Sequence, residues 1–449
     1  MTSGTPWKLI LRFYFPILAC GFFQQLYNLA DTVVVGRFVG TEALAAVGAA
    51  GPIVLIFLNF MFGVATGCCI PVSAAFGAGD RRKMRCLAAN SLYAAGAAGL
   101  VFTALSLLLL DPLLRFMNTP AGIVADCRVY LVWLFGGMLT STYYNLTAGL
   151  LRAVGDSRTP SVCLFYAAAL NVGLNVFFVV SLKMGVSGVA VATVISQAFC
   201  VAYCAAHILR KTKELVPAGD EWRPDAALLK ELLLTGLPVG FQYSILFIGS
   251  VVAQSVYNKM GAEVIAAMTA AEKVHTLGVM VFQMSLGTAL STYCAQNLGA
   301  GKLERIRAGI RQSAVIVAVL TAVLGTAFYF FGRRAAGLFL APDAAGRDAI
   351  LDYAEYYIHI AVWFQAPLCA IFLLRSSIQG MGYTTLALFG GVMELIARSA
   401  VALLLEKPCG FAGVCLANPA AWLLAGTFFT AAYAAIIGKL ERTGLRQRT

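Results

Sequence analysis

Long apolar segments follow one another along the whole chain, and each is long enough to cross a lipid bilayer. About twelve can be counted in the 449 residues, and a bilayer core requires about 20 residues per helix. The segments lack a strict alternation of polar and apolar side chains, which favours helices over a β-barrel. Only 12% of the residues are charged, whereas soluble domains contain roughly 25%. We therefore predict an all-α membrane protein with twelve transmembrane helices, at about 9–36, 46–76, 88–110, 127–150, 160–182, 186–209, 232–258, 264–296, 308–331, 350–374, 384–405 and 414–437.

The formal net charge of +12 is accounted for by the loops between these segments. Basic residues gather in alternate loops, at 81–83, 210–213 and 302–307, as expected for loops that are retained in the cytoplasm. The pattern predicts a multi-pass protein of the inner (cytoplasmic) membrane with both termini in the cytoplasm. Because membrane orientation explains the excess of Lys and Arg, we expect the lipid bilayer but no nucleic acid as a partner.

The two halves of the chain repeat each other. The sequence Gly77-Ala78-Gly79-Asp80 recurs as Gly299-Ala300-Gly301-Lys302, and other short blocks recur at a nearly constant offset of about 221 to 227 residues. A six-helix unit enters and leaves the membrane on the same side, so two copies should be related by an axis along the membrane normal. We predict an N-terminal six-helix bundle (1–209), a cytoplasmic linker (210–227) and a C-terminal six-helix bundle (228–449), which are pseudo-symmetric around a central cavity.

One carboxylate lies within the first predicted transmembrane helix. Placing a charged side chain at the centre of such a helix costs about 2.5–3.5 kcal/mol on insertion scales, so Asp31 requires an explanation. It could lie near the outer helix end and extend to water. Alternatively, Gln24, Asn28 and Asp31 form a polar stripe on one helical face, and such a stripe is expected to face the interior of the bundle.

Further polar residues occur at helical spacing in the same half. Asn171 and Asn175 are four residues apart, as are Thr193 and Gln197. Each could serve only as an interhelical hydrogen-bonding group, which contributes about 0.6 kcal/mol on average. The alternative is a polar cavity lined by these side chains, to which the fourth helix adds Tyr130 and Asn145.

The second half carries a different set of charged residues within its apolar segments. Glu394 and Arg398 can pair because they are one helical turn apart. They could form a structural ion pair, or they could belong to a cavity wall that senses the charge of a ligand. The eighth segment adds Glu272, Lys273 and His275 to this C-terminal set.

Taken together, the motifs resemble the multidrug and toxic compound extrusion (MATE) family over nearly the entire chain. The resemblance rests on Asp31–Gly36, Gly77–Asp80, Leu151–Asp156 and Gln296–Gly301. It implies two six-helix bundles, a central cavity that opens to one side at a time, and export driven by inward H⁺ or Na⁺. It also implies that the substrates are small amphipathic molecules, usually cationic.

Within that family the chain is most similar to the DinF-like branch. Asp31, Asn171, Tyr130 and Thr193 match the ion-coupling residues of the N-terminal bundle in that branch. Asn175 departs from the pattern, because that branch has an aspartate there, and this leaves one carboxylate instead of two. Pro16 corresponds to the proline that bends the first helix of the family.

The resemblance also bears on the coupling ion. The carboxylate that the sodium-linked branch has after a Gln-Ala pair is missing after Gln365-Ala366. We therefore expect H⁺ rather than Na⁺, although Asp31, Asn171 and Asn175 could hold Na⁺.

Other functions are less consistent with the sequence. The chain has no GxxxxGK[ST] motif for a nucleotide and no HExxH motif, so we expect a monomeric transporter that uses an ion gradient, with no cofactor and no enzymatic activity. The alternatives are a flippase for lipid-linked sugars from the same superfamily and an ion channel. The flippase is expected to have about fourteen helices and a more basic cavity, and the channel would show current that does not saturate.

Overall fold

The computed structural model describes residues 1–117, 119–340 and 346–442. This part of the chain is almost entirely helical and contains no β-strand. In chain order the α-helices are α1 (Pro6–Val34), α2 (Thr41–Ala78), α3 (Arg81–Phe116), α4 (Val124–Gly136), α5 (Met138–Ala153), α6 (Arg158–Val176), α7 (Val186–Lys211), α8 (Ala226–Tyr257), α9 (Ala262–His275), α10 (Val281–Gly299), α11 (Leu303–Gly337), α12 (Arg347–Trp363), α13 (Gln365–Gly380), α14 (Thr384–Cys415) and α15 (Ala417–Arg442). The all-α fold predicted from the apolar segments is confirmed.

Within the described residues, ten helical segments are long and apolar enough to cross a membrane. An eleventh is a pair of helices, α12 and α13, with a bend of 56° between them. The remaining predicted span, 127–150, is occupied by two shorter helices, α4 and α5, which meet at Gly137. A Cβ atom at Gly137 would lie 2.3 Å from a methyl carbon of Val194. Glycine at this position therefore allows α7 to approach the junction closely.

In the described part of the chain, three short π-helical segments extend or interrupt the long helices. They cover Val35–Val39 after α1, Phe177–Ser181 after α6, and Thr276–Met280 between α9 and α10. In a π-helical turn each backbone hydrogen bond spans five residues, whereas it spans four in an α-helix. Such turns frequently occur at functional sites. Each of the three directly follows one of the polar clusters predicted from the sequence.

Contacts between residues divide the chain into two compact units. One unit is Phe15–Ser244, and the other comprises Met1–Tyr14 together with Ile245–Thr449. Residues 118, 341–345 and 443–449 within these bounds lie outside the described ranges. The predicted bundles, 1–209 and 228–449, differ from these units in the first helix of each half. The first residues of α1 pack with the second half, and the first nineteen or so residues of α8 pack with the first half.

Two pairs of glycines explain why the start of α8 belongs to the unit Phe15–Ser244. Gly63 and Gly67 on α2 face Gly236 and Gly240 on α8, so that each helix presents a small-xxx-small pattern. A Cβ atom at Gly63 would lie 2.6 Å from the Cα atom of Gly240, and one at Gly67 would lie 2.7 Å from that of Gly236. Small residues let two backbones come this close, and packing of this kind drives association of transmembrane helices.

The predicted linker packs against the start of α3 and contributes short 3₁₀ turns at Lys213–Leu215 and Gly219–Trp222. Arg81 pairs with Glu214 at 2.6 Å. The buried carboxylate of Glu221 receives two hydrogen bonds from Arg85, at 2.6 and 2.7 Å, and one from the backbone N–H of Ala218 at 2.9 Å. These donors stabilise the charged carboxylate and lower the pKa of Glu221 to about 2.

This pairing predicts a pH-dependent stability. A carboxylate whose pKa is lower in the folded state stabilises the fold above its ordinary pKa and loses that effect as the pH falls through the lowered value. We expect Glu221→Gln to unfold at a lower temperature than the wild type at pH 7, and the difference should shrink between pH 4.5 and about pH 2. Thermal unfolding across this range measures it, with Asp220→Asn in the exposed Arg82 pair as the control. A difference that does not change with pH would contradict the assignment.

Candidate functional site

A chain of hydrogen bonds joins α1 to α6 in the unit Phe15–Ser244. The carboxylate of Asp31 accepts a hydrogen bond from Asn175 Nδ2 at 2.5 Å. The same nitrogen donates to Asn171 Oδ1 at 2.9 Å, and Asn171 Nδ2 donates to the Tyr27 hydroxyl at 3.3 Å. The only ionisable carboxylate in this chain of bonds therefore receives its hydrogen bond from an amide, and a second amide rather than a second acid supports that amide.

The periodicity of the two helices produces this arrangement. Tyr27 and Asp31 are one turn apart on α1, and Asn171 and Asn175 are one turn apart on α6, so each pair lies on one helical face. Both asparagines have an exposed fraction of 0%. Buried polar groups are stable only when they are hydrogen-bonded, and the four side chains supply most of these bonds to one another. We call these four side chains the Asp31 ladder.

One acceptor within the Asp31 ladder is not used. The Oδ1 atom of Asn175 is buried and has no hydrogen-bond partner among the described residues. Leaving a buried polar atom unsatisfied costs about 1–3 kcal/mol. The atom is therefore available to a donor or a cation that arrives at Asp31.

The other residues predicted for this half divide into two groups. Thr193 bonds to the carbonyl of Val189 at 3.0 Å and lies within hydrogen-bonding reach of the Tyr27 hydroxyl. Tyr130 packs against the cluster that includes Val34 and Val35. The following residues lie elsewhere: Gln24 and Asn28, which bond to each other at 3.4 Å, Asn145, which bonds to the carbonyl of Ser141 at 2.9 Å, and Gln197, which is half-buried on α7.

Tyr27 was not predicted from the sequence. Aromatic residues are common in membrane helices, so a tyrosine by itself is a weak signal. Its position four residues before Asp31 was the signal that could have identified it.

Pro16 lies within α1, which continues through it as one helix, and its carbonyl accepts a hydrogen bond from Ser161 Oγ at 2.6 Å. The predicted bend at Pro16 stays a prediction.

A second buried polar group lies in the other unit, between α13 and α14. Glu394 lies 3.5 Å from Arg375 and 3.9 Å from Arg398 in the closest N–O pairs. Arg398 also donates to the carbonyl of Leu246 on α8 at 3.3 Å, and the guanidinium of Arg375 lies over the ring of Phe372 at 4.8 Å. We call Arg375, Glu394 and Arg398 the arginine cluster.

The structure adds Arg375 to the predicted pair of Glu394 and Arg398. The signal that could have found it is its position inside an apolar helix, where an arginine is as costly as the aspartate of α1. The three other predicted residues lie on α9. Glu272 and Lys273 are exposed, and His275 stacks on Trp422 with the ring centres 5.6 Å apart.

Solved structures of transporters have the same fold. One, described as a MATE protein in the bent conformation, covers 98% of this chain and 97% of its own at a TM-score of 0.89 and 23% identity. Another, a MOP superfamily transporter from Pyrococcus furiosus described as having a binding pocket of reverse polarity, has the same TM-score and identity. At this level of identity the comparison shows the fold alone.

Curated relatives align over most of their length. "Probable multidrug resistance protein YpnP" from Bacillus subtilis is 26% identical over 85% of this chain and 84% of its own. An FAD transporter from Shewanella oneidensis is 23% identical over 89% of this chain and 88% of its own.

The family assignment rests on a model that matches both halves of the chain. The MatE family model aligns with residues 16–177 and again with residues 238–404. The two matches reproduce the internal repeat predicted from the sequence, and they include both the Asp31 ladder and the arginine cluster. The chain belongs to the MatE family, which is a family of membrane transporters and not of enzymes.

Proposed function

We propose that this protein is a secondary active exporter that moves small amphipathic molecules out of the cell by alternating access, in exchange for inward H⁺. The observation that carries the proposal is the Asp31 ladder, in which one carboxylate is held between two transmembrane helices by neutral amides. The similarity to proteins named for multidrug resistance supports the class of substrate. We place the protein in the cytoplasmic membrane with both termini in the cytoplasm, where it works as a monomer.

Protonation would change the hydrogen bonding of the Asp31 ladder in a defined way. An ionised carboxylate only accepts hydrogen bonds, whereas a protonated one also donates. The present bond from Asn175 Nδ2 suits the ionised form. A proton on Asp31 could be donated to the unused Oδ1 atom of Asn175 once the amide has turned. Proton binding would thus shift α6 relative to α1 at the point where both helices become π-helical, and this is how the proton would select a different packing of the unit.

Sodium is the second candidate for the coupling ion. The oxygen atoms of Asp31, Asn171 and Asn175 lie in one connected group, and the unused Oδ1 atom of Asn175 would be one ligand. This reading keeps Asp31 ionised throughout the cycle. The two ions therefore make different predictions for the same residue.

The test uses purified protein in proteoliposomes with the two gradients imposed separately. We expect a pH gradient, without sodium, to drive accumulation of a fluorescent amphipathic dye. One pH unit is worth about 1.4 kcal/mol, so a gradient of two units supports a ratio of up to about a hundredfold for exchange of one proton per dye molecule. A sodium gradient at uniform pH should produce no accumulation. Accumulation driven by sodium alone would replace H⁺ with Na⁺, and accumulation with neither gradient would refute secondary active transport.

A further inference from the structure

The arginine cluster carries more positive than negative charge. Arg375, Glu394 and Arg398 are 6%, 4% and 7% exposed, and their formal charges sum to +1. Glu272, which interacts electrostatically with Arg398, and Lys273 beside it add one charge of each sign. Burying an unbalanced charge is costly, and a buried charge is normally paired or ligated. The three buried side chains by themselves therefore carry one uncompensated positive charge, which an anion would balance.

The N–O distances within the arginine cluster are also longer than those of a hydrogen-bonded ion pair. The distances of 3.5 and 3.9 Å exceed the usual 2.7–2.9 Å of a charge-assisted hydrogen bond. Elsewhere in the same protein, Arg85 and Glu221 form a bidentate ion pair with hydrogen bonds of 2.6 and 2.7 Å. The arginine cluster lacks such a pair, so its role differs from that of a structural clamp.

An unsatisfied buried donor leads to the same conclusion. The Nε–H group of Arg398 is buried and has no hydrogen-bond partner among the described residues. A guanidinium offers five N–H donors in a planar fork that matches the two oxygens of a carboxylate or phosphate. Glu394 lies too far from the two guanidinium groups to pair with both N–H donors of either fork. An arriving anion could accept hydrogen bonds from the donors that remain free.

We propose that the arginine cluster binds an anionic group, a carboxylate or a phosphate, of the molecule that the protein exports. The proposal rests on the proposed function and specifies the substrate class. It differs from the cationic substrates implied by the resemblance stated above. Arg375 and Arg398 hold the anion, and Glu394 pairs loosely with both guanidinium groups while the site is empty. In the empty site, Glu394 reduces the repulsion between the two positively charged arginines. When substrate arrives, Glu394 competes with its anionic group for the same arginines.

Riboflavin and riboflavin 5′-phosphate form a matched pair of probes, since they share one fluorescent ring system and differ by a phosphate. We expect the full-length protein to bind the phosphate form more tightly than riboflavin, as measured by fluorescence quenching. Arg398→Gln should weaken binding of the phosphate form at least about tenfold, because hydrogen bonds to charged groups contribute about 1.5–3 kcal/mol. The affinity for riboflavin should not change.

Glu394→Gln should have the opposite effect. It removes the competing carboxylate, so the affinity for riboflavin 5′-phosphate should rise. A variant that is merely misfolded would lose affinity for both probes, and this separates a folding defect from the charge effect. Lys259 and Glu406 form a more exposed pair in the same unit at 3.8 Å, so Lys259→Gln and Glu406→Gln repeat the two charge changes away from the cluster. Neither control should alter the ratio of the two affinities.

Competition with inorganic phosphate tests whether the cluster binds the anionic group of a larger substrate or any free anion. Because the cluster recognises the phosphate together with the attached molecule, millimolar inorganic phosphate should displace riboflavin 5′-phosphate only weakly. Equal affinity for the two probes, no binding of the phosphate form at millimolar concentration, or the same shift in both charge variants would overturn the proposal. Dye accumulation driven by the pH gradient in the same preparation would show that the proposed function stands even then.

Discussion

Replacing Asp31 with Asn is expected to abolish accumulation driven by a pH gradient. The substitution keeps the size of the side chain but removes the group that takes up the proton. Asn175 Nδ2 can still donate to the new amide oxygen, so the hydrogen bond that joins α1 to α6 can be retained. We therefore expect a folded protein in which substrate movement is no longer linked to proton movement. Under a gradient of two pH units, the accumulation ratio should fall from up to about a hundredfold to about one.

Exchange of substrate at equal pH separates loss of coupling from loss of transport. We expect Asp31→Asn to retain exchange of labelled for unlabelled dye across the membrane, since exchange requires no net movement of protons. The control is Asp126→Asn, which neutralises an exposed carboxylate near the start of α4 in the same unit. It should accumulate dye like the wild type. Normal accumulation by Asp31→Asn, with its usual pH dependence, would contradict the role given to Asp31.

Replacing Gly67 with Leu is expected to have the largest effect on stability. A Cβ atom there would lie 2.7 Å from Gly236 Cα and 2.8 Å from the carbonyl oxygen of Thr235. Both are backbone atoms, which cannot turn away as the end of a side chain can. Inserting a large side chain into a packed site typically costs about 1–3 kcal/mol and sometimes more, and we expect about 3 kcal/mol or more here.

The expected result is a thermal unfolding midpoint several degrees lower, with less protein recovered in the membrane. Gly48→Leu is the matched control, because Gly48 is on the same helix and a Cβ atom there would meet nothing within 4 Å. If both substitutions cost the same, the close contact between α2 and α8 would not be what holds the start of α8 in its unit.

Much of the fold was predictable because each helix must bury an apolar surface in lipid. The long apolar segments predict nearly all the membrane helices, and the repeat predicts that the family model matches twice. The break between α4 and α5 was not predictable, because it depends on how Gly137 contacts Val194 on a helix far along the chain. The exchange of first-helix residues between the two units was also missed. It depends on the glycines that α2 and α8 present to each other.

The candidate sites were predictable to the extent that polarity is rare in these helices. Asp31, Asn171 and Asn175 were found because helical spacing placed them on matching faces, and the structure joins them directly. Gln24 and Asn28 share the spacing of Asp31 but bond to each other instead, since the burial of a helical face depends on its neighbours. Arg375 was missed because no acidic residue occurs one turn away on its own helix. Its partner, Glu394, is on the next helix.

The most direct test of the account is the protonation state of Asp31 during the transport cycle. Infrared difference spectra of the purified protein, recorded as the pH is lowered, should show the band of one protonated carboxyl group that is missing in Asp31→Asn and present in Asp126→Asn. Addition of substrate should remove that band from the wild type. A band that persists in Asp31→Asn, or one that substrate leaves unchanged, would show that Asp31 is not the group that exchanges the coupling proton.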